Sequence, residues 1–169
     1  HLTGLYNRSV FDQEVRLAIH ETENSQIEHC ICQISLSQFN IINQTSGHRA
    51  GDKLLQTVAK ILENKVRAPS DIVARIGGDE FGILLRHCSL ETARKICTLI
   101  IEDFDHAPFE FERSQFDINA GIGLVSINGS INNLGDAISA AATACSMAKG
   151  RGKNRCLLYT SPSPRDNRV

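Results

Sequence analysis

Arg75-Ile76-Gly77-Gly78-Asp79-Glu80-Phe81-Gly82 constrains this chain more than any other stretch. Apolar runs flank it, Ile72-Val73-Ala74 before and Phe81 to Leu85 after. Such runs joined by a glycine pair read as two antiparallel strands closed by a tight turn. Any fold for the chain must therefore hold a hairpin whose tip carries two adjacent carboxylates. Adjacent acids can hold a divalent cation, and glycines without side chains let a phosphate approach the backbone closely. A Gly-Gly-Asp turn by itself is ordinary, so its neighbours decide what it means.

The neighbours are strands and helices in alternation. Ser9 is placed to cap a helix striped by Phe11, Val15, Ala18 and Ile19. Cys30 to Leu36 reads as a strand with Cys30, Cys32, Ile34 and Leu36 on one face and Ile31 on the other. A short helical piece from about Phe39 to Thr45 follows, then a longer helix from Ala50 to Val66 striped by Leu54, Leu55, Val58, Ile61, Leu62 and Val66. Pro69-Ser70-Asp71 breaks the pattern before the hairpin, and Ser89 caps a helix carrying Ala93, Ile96, Ile100 and Phe104. Phe116 to Ser126 alternates cleanly, with Phe109 and Phe111 as its candidate antiparallel partner, and a last helix runs from about Leu134 to Lys149. No repeat and no linker divides this region. The expectation is an α+β domain with one mixed, mostly antiparallel sheet flanked by helices.

With 169 residues, 41% of them apolar, the chain suits a single domain with a full core. A net charge of −1 argues against nucleic acid or an anionic membrane as partner. No apolar run approaches the length of a membrane span, so no direct membrane contact is expected of this segment, and a cytoplasmic domain of a protein that is itself membrane-anchored or not fits best. Cys30 and Cys32 form a C-x-C pair, read here as two small buried hydrophobes in preference to a metal site. The six scattered cysteines suit reduced thiols. Cys156 to Asp166, Cys-Leu-Leu-Tyr-Thr-Ser-Pro-Ser-Pro-Arg-Asp, resembles one reading frame of a transposase-type sequencing adapter. The domain is accordingly expected over residues 1–155, truncated at its N-terminus, with 156–169 a non-native or disordered tail.

Four segments resemble one family. Leu2-Thr3-Gly4-Leu5-Tyr6-Asn7-Arg8 is similar to the opening of GGDEF domains without its leading Asp, and Phe39 to Asp52 resembles the family's F-K-x-I-N-D-x-x-G-H-x-x-G-D. Arg75 to Phe81 matches the name motif, and Ala148 to Arg155 resembles the closing A-K-x-x-G-[RK]-N-R. The resemblance implies the palm-like fold of nucleotide cyclases and polymerases, with a ferredoxin-like core. It also implies condensation of two GTP into cyclic di-GMP and pyrophosphate, by two domains that face each other as a homodimer. It places Asn43 and Asp52 on the guanine edge, Gly77 and Gly78 against GTP, Lys149 and Lys153 on phosphates, and Asp79 and Glu80 as catalytic acids and ligands of Mg²⁺ or Mn²⁺. Without that resemblance, Asn43 and Asp52 read as helix caps and the two lysines as a basic helix C-terminus. Details around Cys88, Phe109 to Phe111 and the last helix resemble GGDEF domains that precede an EAL phosphodiesterase domain, so EAL or sensory domains are the implied neighbours.

The departures are as informative. The family's first metal-ligand Asp is Ser35 here, and its following lysine is Asn40. A hydroxyl is a poor Mg²⁺ ligand. The forgone Coulomb attraction of a unit charge for a divalent ion at ~4 Å is roughly 8 kcal/mol at an effective dielectric near 20, before water and phosphates fill the gap. The ion is therefore expected to bind weakly. The family's inhibitory R-x-x-D keeps only its Asp, Asp71; Ala68 occupies the Arg position and Arg67 sits one residue early, so product feedback is expected to be lost. Two readings stand: a slow diguanylate cyclase, or a catalytically inactive GTP-binding and dimerising module that tunes an adjoining domain.

Overall fold

The computed structural model describes residues 2–106 and 109–159. Its elements run α1 (Arg8–Thr22), β1 (His29–Leu36), α2 (Phe39–Ser46), α3 (His48–Glu63), β2 (Ile72–Arg75), β3 (Glu80–Leu85), α4 (Leu90–His106), β4 (Phe109–Phe111), β5 (Ser114–Phe116), β6 (Ala120–Ile127), α5 (Leu134–Gly150) and β7 (Arg155–Leu158). The main sheet has the order β2-β3-β1-β6-β7. All its pairings are antiparallel except β6 with β7, so the sheet is mixed and mostly antiparallel, as expected.

Period-2 patterning on the strands decides what lies on each face. Cys30, Cys32, Ile34 and Leu36 join Phe81, Ile83 and Leu85 beneath α3 and α4, where Leu54, Leu55, Val58, Leu62, Ile100 and Phe104 complete one core. Ile31, Leu84, Val125 and Ile127 face the other way, against Phe11, Val15 and Ile19 of α1 and Ala137, Ala140 and Ala141 of α5. Both cores are shielded from water, which is the main stabilising contribution of such a sandwich. The α1/α5 face is built for close approach. A Cβ on Gly82 would meet the Phe11 ring at 2.8 Å, and one on Gly123 would meet Ala141 O and Cys145 N at 2.4 Å.

Several local expectations shift. Asn7, not Ser9, caps α1, its Oδ1 accepting from Val10 N at 3.0 Å. The long helix begins at His48, directly after Gly47, and ends at Glu63 rather than Val66, where Asn64 and Lys65 tighten the last turn by bonding back to Lys60 and Leu62. The stretch read as one strand from Phe116 to Ser126 is two: β5 pairs only with β4, and β6 joins the main sheet. The break has a visible cause. Asn154 inserts its amide there, donating to Ile118 O at 3.0 Å and accepting from Ala120 N at 2.9 Å. Beyond Arg155 the chain continues as β7 alongside β6, with Tyr159 N donating to Leu124 O. Cys156 to Leu158 therefore lie in the sheet, because they are apolar enough to cover its edge. The rest of the expected tail, 160–169, lies outside the described residues.

Cys30 and Cys32 are both fully buried. The Cys30 thiol donates to Cys88 O, and the Cys32 and Cys97 sulfurs stand 3.5 Å apart. Burial pushes the Cys30 thiol far above its ordinary value. Among the described residues, no helix is long and apolar enough to cross a membrane.

Candidate functional site

The acidic turn is held at both ends by backbone bonds. Ile76 N and Gly77 N both donate to Glu80 O, at 2.9 and 3.3 Å, and Leu36 N donates to Asp79 O at 2.9 Å, which ties the tip to the end of β1. Arg75 clamps it further: its Nε reaches Gly77 O and Gly78 O at 3.2 Å, and its Nη2 reaches Gly78 O at 2.7 Å. Neither Gly77 nor Gly78 takes a left-handed backbone. Their value is bare surface: a Cβ on Gly78 would meet nothing within 4 Å, and one on Gly77 would meet the Glu80 carboxylate at 3.4 Å. The turn expected of the glycine pair is present, and what the two glycines provide is an open backbone rather than a left-handed one.

Ser35 stands directly opposite Glu80 on the β1–β3 ladder, so both side chains rise from the sheet toward α5. From the last turn of α5, Lys149 Nζ donates to Ser35 Oγ at 3.2 Å. Its stem is seated by a glycine. A Cβ on Gly121 would come within 2.5 Å of Lys149 Cγ and 2.8 Å of Lys149 N, so only a bare residue at 121 lets α5 lie where it does. Ser35 is 7% exposed, whereas Lys149 is open to solvent. A hydroxyl that carries an ammonium contact thus stands across the ladder from Glu80, beside the acidic turn. Among the described residues, no group of three or more His, Cys, Asp or Glu side chains is placed to hold a metal ion.

Asn43 and Asp52 belong to the α2–α3 pair, two residues beyond the end of β1 by way of Ser37 and Gln38. The pair turns on Gly47, whose φ of 88° any other residue would adopt at a cost. Asn43 Oδ1 is buried and has no hydrogen-bond partner. A Cβ at Gly51 would stand 1.9 Å from that oxygen, so the glycine beside Asp52 makes room for the amide. An unpartnered buried acceptor costs free energy unless a ligand donates to it. With the exposed Asp52 carboxylate alongside, this corner suits an edge rich in N–H donors. The caps expected of these two residues in isolation are not what they do: Gln38 and Gly47 are the N-caps, and neither bonds through a side chain.

Lys153 is three-quarters exposed, with its Nζ 3.8 Å from the Asp117 carboxylate. Sequence reasoning passed over its neighbour Asn154, which sits at φ 49° and bonds Asp105, Ile118 and Ala120, fixing the Lys149-to-Lys153 segment against β6 and α4. It also passed over Gly121 and Gly123, although a glycine at alternate strand positions signals close backbone approach.

Asp71 corrects one expectation. Arg67 does reach it: the chain folds back so that Asp71 N donates to Arg67 O, and the guanidinium grips the carboxylate at 2.9 and 3.1 Å. Arg67 N and Arg86 N donate to the same carboxylate, whose side chain is wholly buried.

Comparison with known proteins gives this geometry its context. Residues 1–155 match the family described as "Diguanylate cyclase, GGDEF domain". The chain is 34% identical over 158 residues to the probable diguanylate cyclase DgcE of Escherichia coli, covering 94% of this chain and 14% of that protein. It is 28% identical over 158 residues to the cyclic di-GMP phosphodiesterase PdeB of Shewanella oneidensis, covering 94% of this chain and 18% of that one. It therefore spans less than a fifth of the length of either relative. The solved structure of a delta-N mutant of TpbB (YfiN) from Pseudomonas aeruginosa comprising only its GGDEF domain superposes with a TM-score of 0.88 at 29% identity, covering 97% of this chain and 95% of that one. The palm-like sheet, the acidic hairpin tip and the motif order are those of that family, and we conclude that the chain belongs to the GGDEF domains of cyclic di-GMP signalling.

Proposed function

We propose that this domain binds GTP in the cleft framed by the acidic turn, Ser35, Lys149 and the α2–α3 pair, and that it makes cyclic di-GMP slowly if at all. Asn43 and Asp52 read the guanine edge, the unpartnered Asn43 oxygen accepting from it. Gly77 and Gly78 admit phosphate oxygens to the backbone, while Lys149 and Lys153 supply positive charge. Asp79 and Glu80 are the acids beside the reacting groups. Condensation needs two nucleotides face to face, so a second copy of the domain is required for turnover. Use of GTP places the working domain in the cytoplasm.

The observation that carries the reading is the Lys149–Ser35 contact beside Glu80. A divalent ion fits this corner poorly, since a hydroxyl and an ammonium stand where a carboxylate would be needed and no three-ligand group is available among the described residues. Mg²⁺ or Mn²⁺ would be held weakly, between Asp79, Glu80 and phosphates, and no step is assigned to it. The inhibitory site is lost as well: Asp71 is closed off by Arg67 and Arg86 rather than left open for product.

The test is incubation with GTP and Mg²⁺ or Mn²⁺, assayed for cyclic di-GMP and pyrophosphate, with Ser35→Asp alongside. Little product from the parent and more from Ser35→Asp supports the reading; brisk synthesis by the parent overturns it. A second reading, a regulatory module for an adjoining EAL phosphodiesterase domain, is favoured by the similarity to PdeB along nearly the whole chain. It predicts GTP-dependent phosphodiesterase rates in a protein carrying both domains.

A further inference from the structure

The corner at Ser35 already contains a cation. Lys149 Nζ donates one proton to Ser35 Oγ at 3.2 Å, and an ammonium has three to give. The remaining protons belong to an exposed residue beside the acidic turn. The position is built rather than incidental, because the Lys149 stem and backbone occupy the space that a side chain at Gly121 would fill. Cys145, one turn earlier, holds the same surface by donating to Gly121 O at 3.2 Å. A mobile surface lysine would lack both restraints.

We infer that the Lys149 ammonium, seated on Ser35 and Gly121, serves as the counter-charge to the bound phosphates, so that the site takes a nucleoside triphosphate without a divalent ion. This rests on the GTP-binding reading above and deepens it. A side-chain ammonium is a compact point charge suited to phosphate oxygens. A divalent ion entering the same corner would meet that positive charge at close range and would find the Ser35 hydroxyl in place of a carboxylate. Neutralisation by the chain's own lysine serves binding, whereas it leaves the attacking and departing oxygens of a condensation without the second positive charge that phosphoryl transfer draws on. Retained binding with poor turnover follows from one contact.

The experiment is titration of the full chain with a fluorescent GTP analogue in EDTA and again in excess MgCl₂, with folding checked by circular dichroism. Dissociation constants in the two conditions are expected to agree within about threefold, and Lys149→Met is expected to weaken binding in EDTA by roughly tenfold or more, as loss of one charge-assisted contact implies. Lys149→Arg, which keeps the charge, is expected to retain most of the affinity. Ser35→Asp is expected to bind more weakly in EDTA than in MgCl₂, because it restores a metal carboxylate and engages the lysine. Binding by the parent only in MgCl₂, or an undiminished affinity of folded Lys149→Met in EDTA, overturns this inference and leaves the GTP reading intact. No binding in either condition by folded protein overturns the GTP reading itself, and the inference with it.

Discussion

Gly123→Ala isolates the contact that places α5, and with it Lys149, over the sheet. The added Cβ would lie 2.4 Å from both Ala141 O and Cys145 N, which are backbone atoms of α5 and have no rotamer in which to escape. Ordinary contact begins near 3.4 Å, so the helix has to lift by about 1 Å, an overpacking strain. The helix buries only small side chains here, Ala137, Ala140, Ala141, Ala144, Cys145 and Ala148, and none of them is long enough to fill the gap so opened. Overpacking costs about 1–3 kcal/mol, and rigid backbone on both sides puts this site at the upper end. For a domain of this size roughly 2–4 °C is lost per kcal/mol, so Tm should fall by about 6–12 °C. Thermal and urea unfolding measure this, with Gly78→Ala as control, since its Cβ would meet nothing within 4 Å and should change stability by less than about 0.5 kcal/mol. A Gly123→Ala protein as stable as the parent would refute the claim that direct backbone contact sets the height of α5.

The remaining expectations concern the far end of the sheet and the loop after α5. Asp71→Ala leaves Arg67 N and Arg86 N without their acceptor and should cost about 2–4 kcal/mol in urea unfolding; a loss below ~0.5 kcal/mol would mean that water replaces the carboxylate freely. Burial pushes His29 below its ordinary value, against the pull of Glu21 and with the help of His87 and Arg86. The unfolded chain therefore takes up that proton first as pH falls, so this stability is complete above about pH 6.5 and is lost progressively below it. Urea midpoints should drop between about pH 8 and about pH 5 in the parent and drop less in His29→Gln, and equal drops would contradict the assignment. Asn154→Gly keeps the backbone at φ 49° accessible but removes the bonds to Asp105, Ile118 and Ala120; it should cost about 1–3 kcal/mol and weaken GTP binding, and an unchanged affinity would show that Lys153 needs no such support.

Much of this was legible because alternation and helical stripes are local. Alternation alone sorts Cys30 to Leu36 onto two faces, and the Ser89 cap is present, its Oγ accepting from Thr92 N. What escaped the sequence depends on partners far along the chain. The break after Phe116 is made by Asn154, and neither residue announces the other. Arg67 stands one position too early for the family's R-x-x-D pattern, yet the backbone turns back on itself there and brings it to Asp71. At the site, the motif residues are named by the resemblance to the GGDEF family, but the Lys149–Ser35 contact is not: it needs the α5 height that Gly121 and Gly123 allow, a property of packing and not of pattern.

The most direct measurement of whether one cleft gathers these residues is a GTP titration followed by backbone and side-chain amide chemical shifts. The account predicts that Gly77, Gly78, the Asn43 side chain and Lys149 shift together along one binding curve. Shifts confined to one of these groups, with the acidic turn silent, would contradict it.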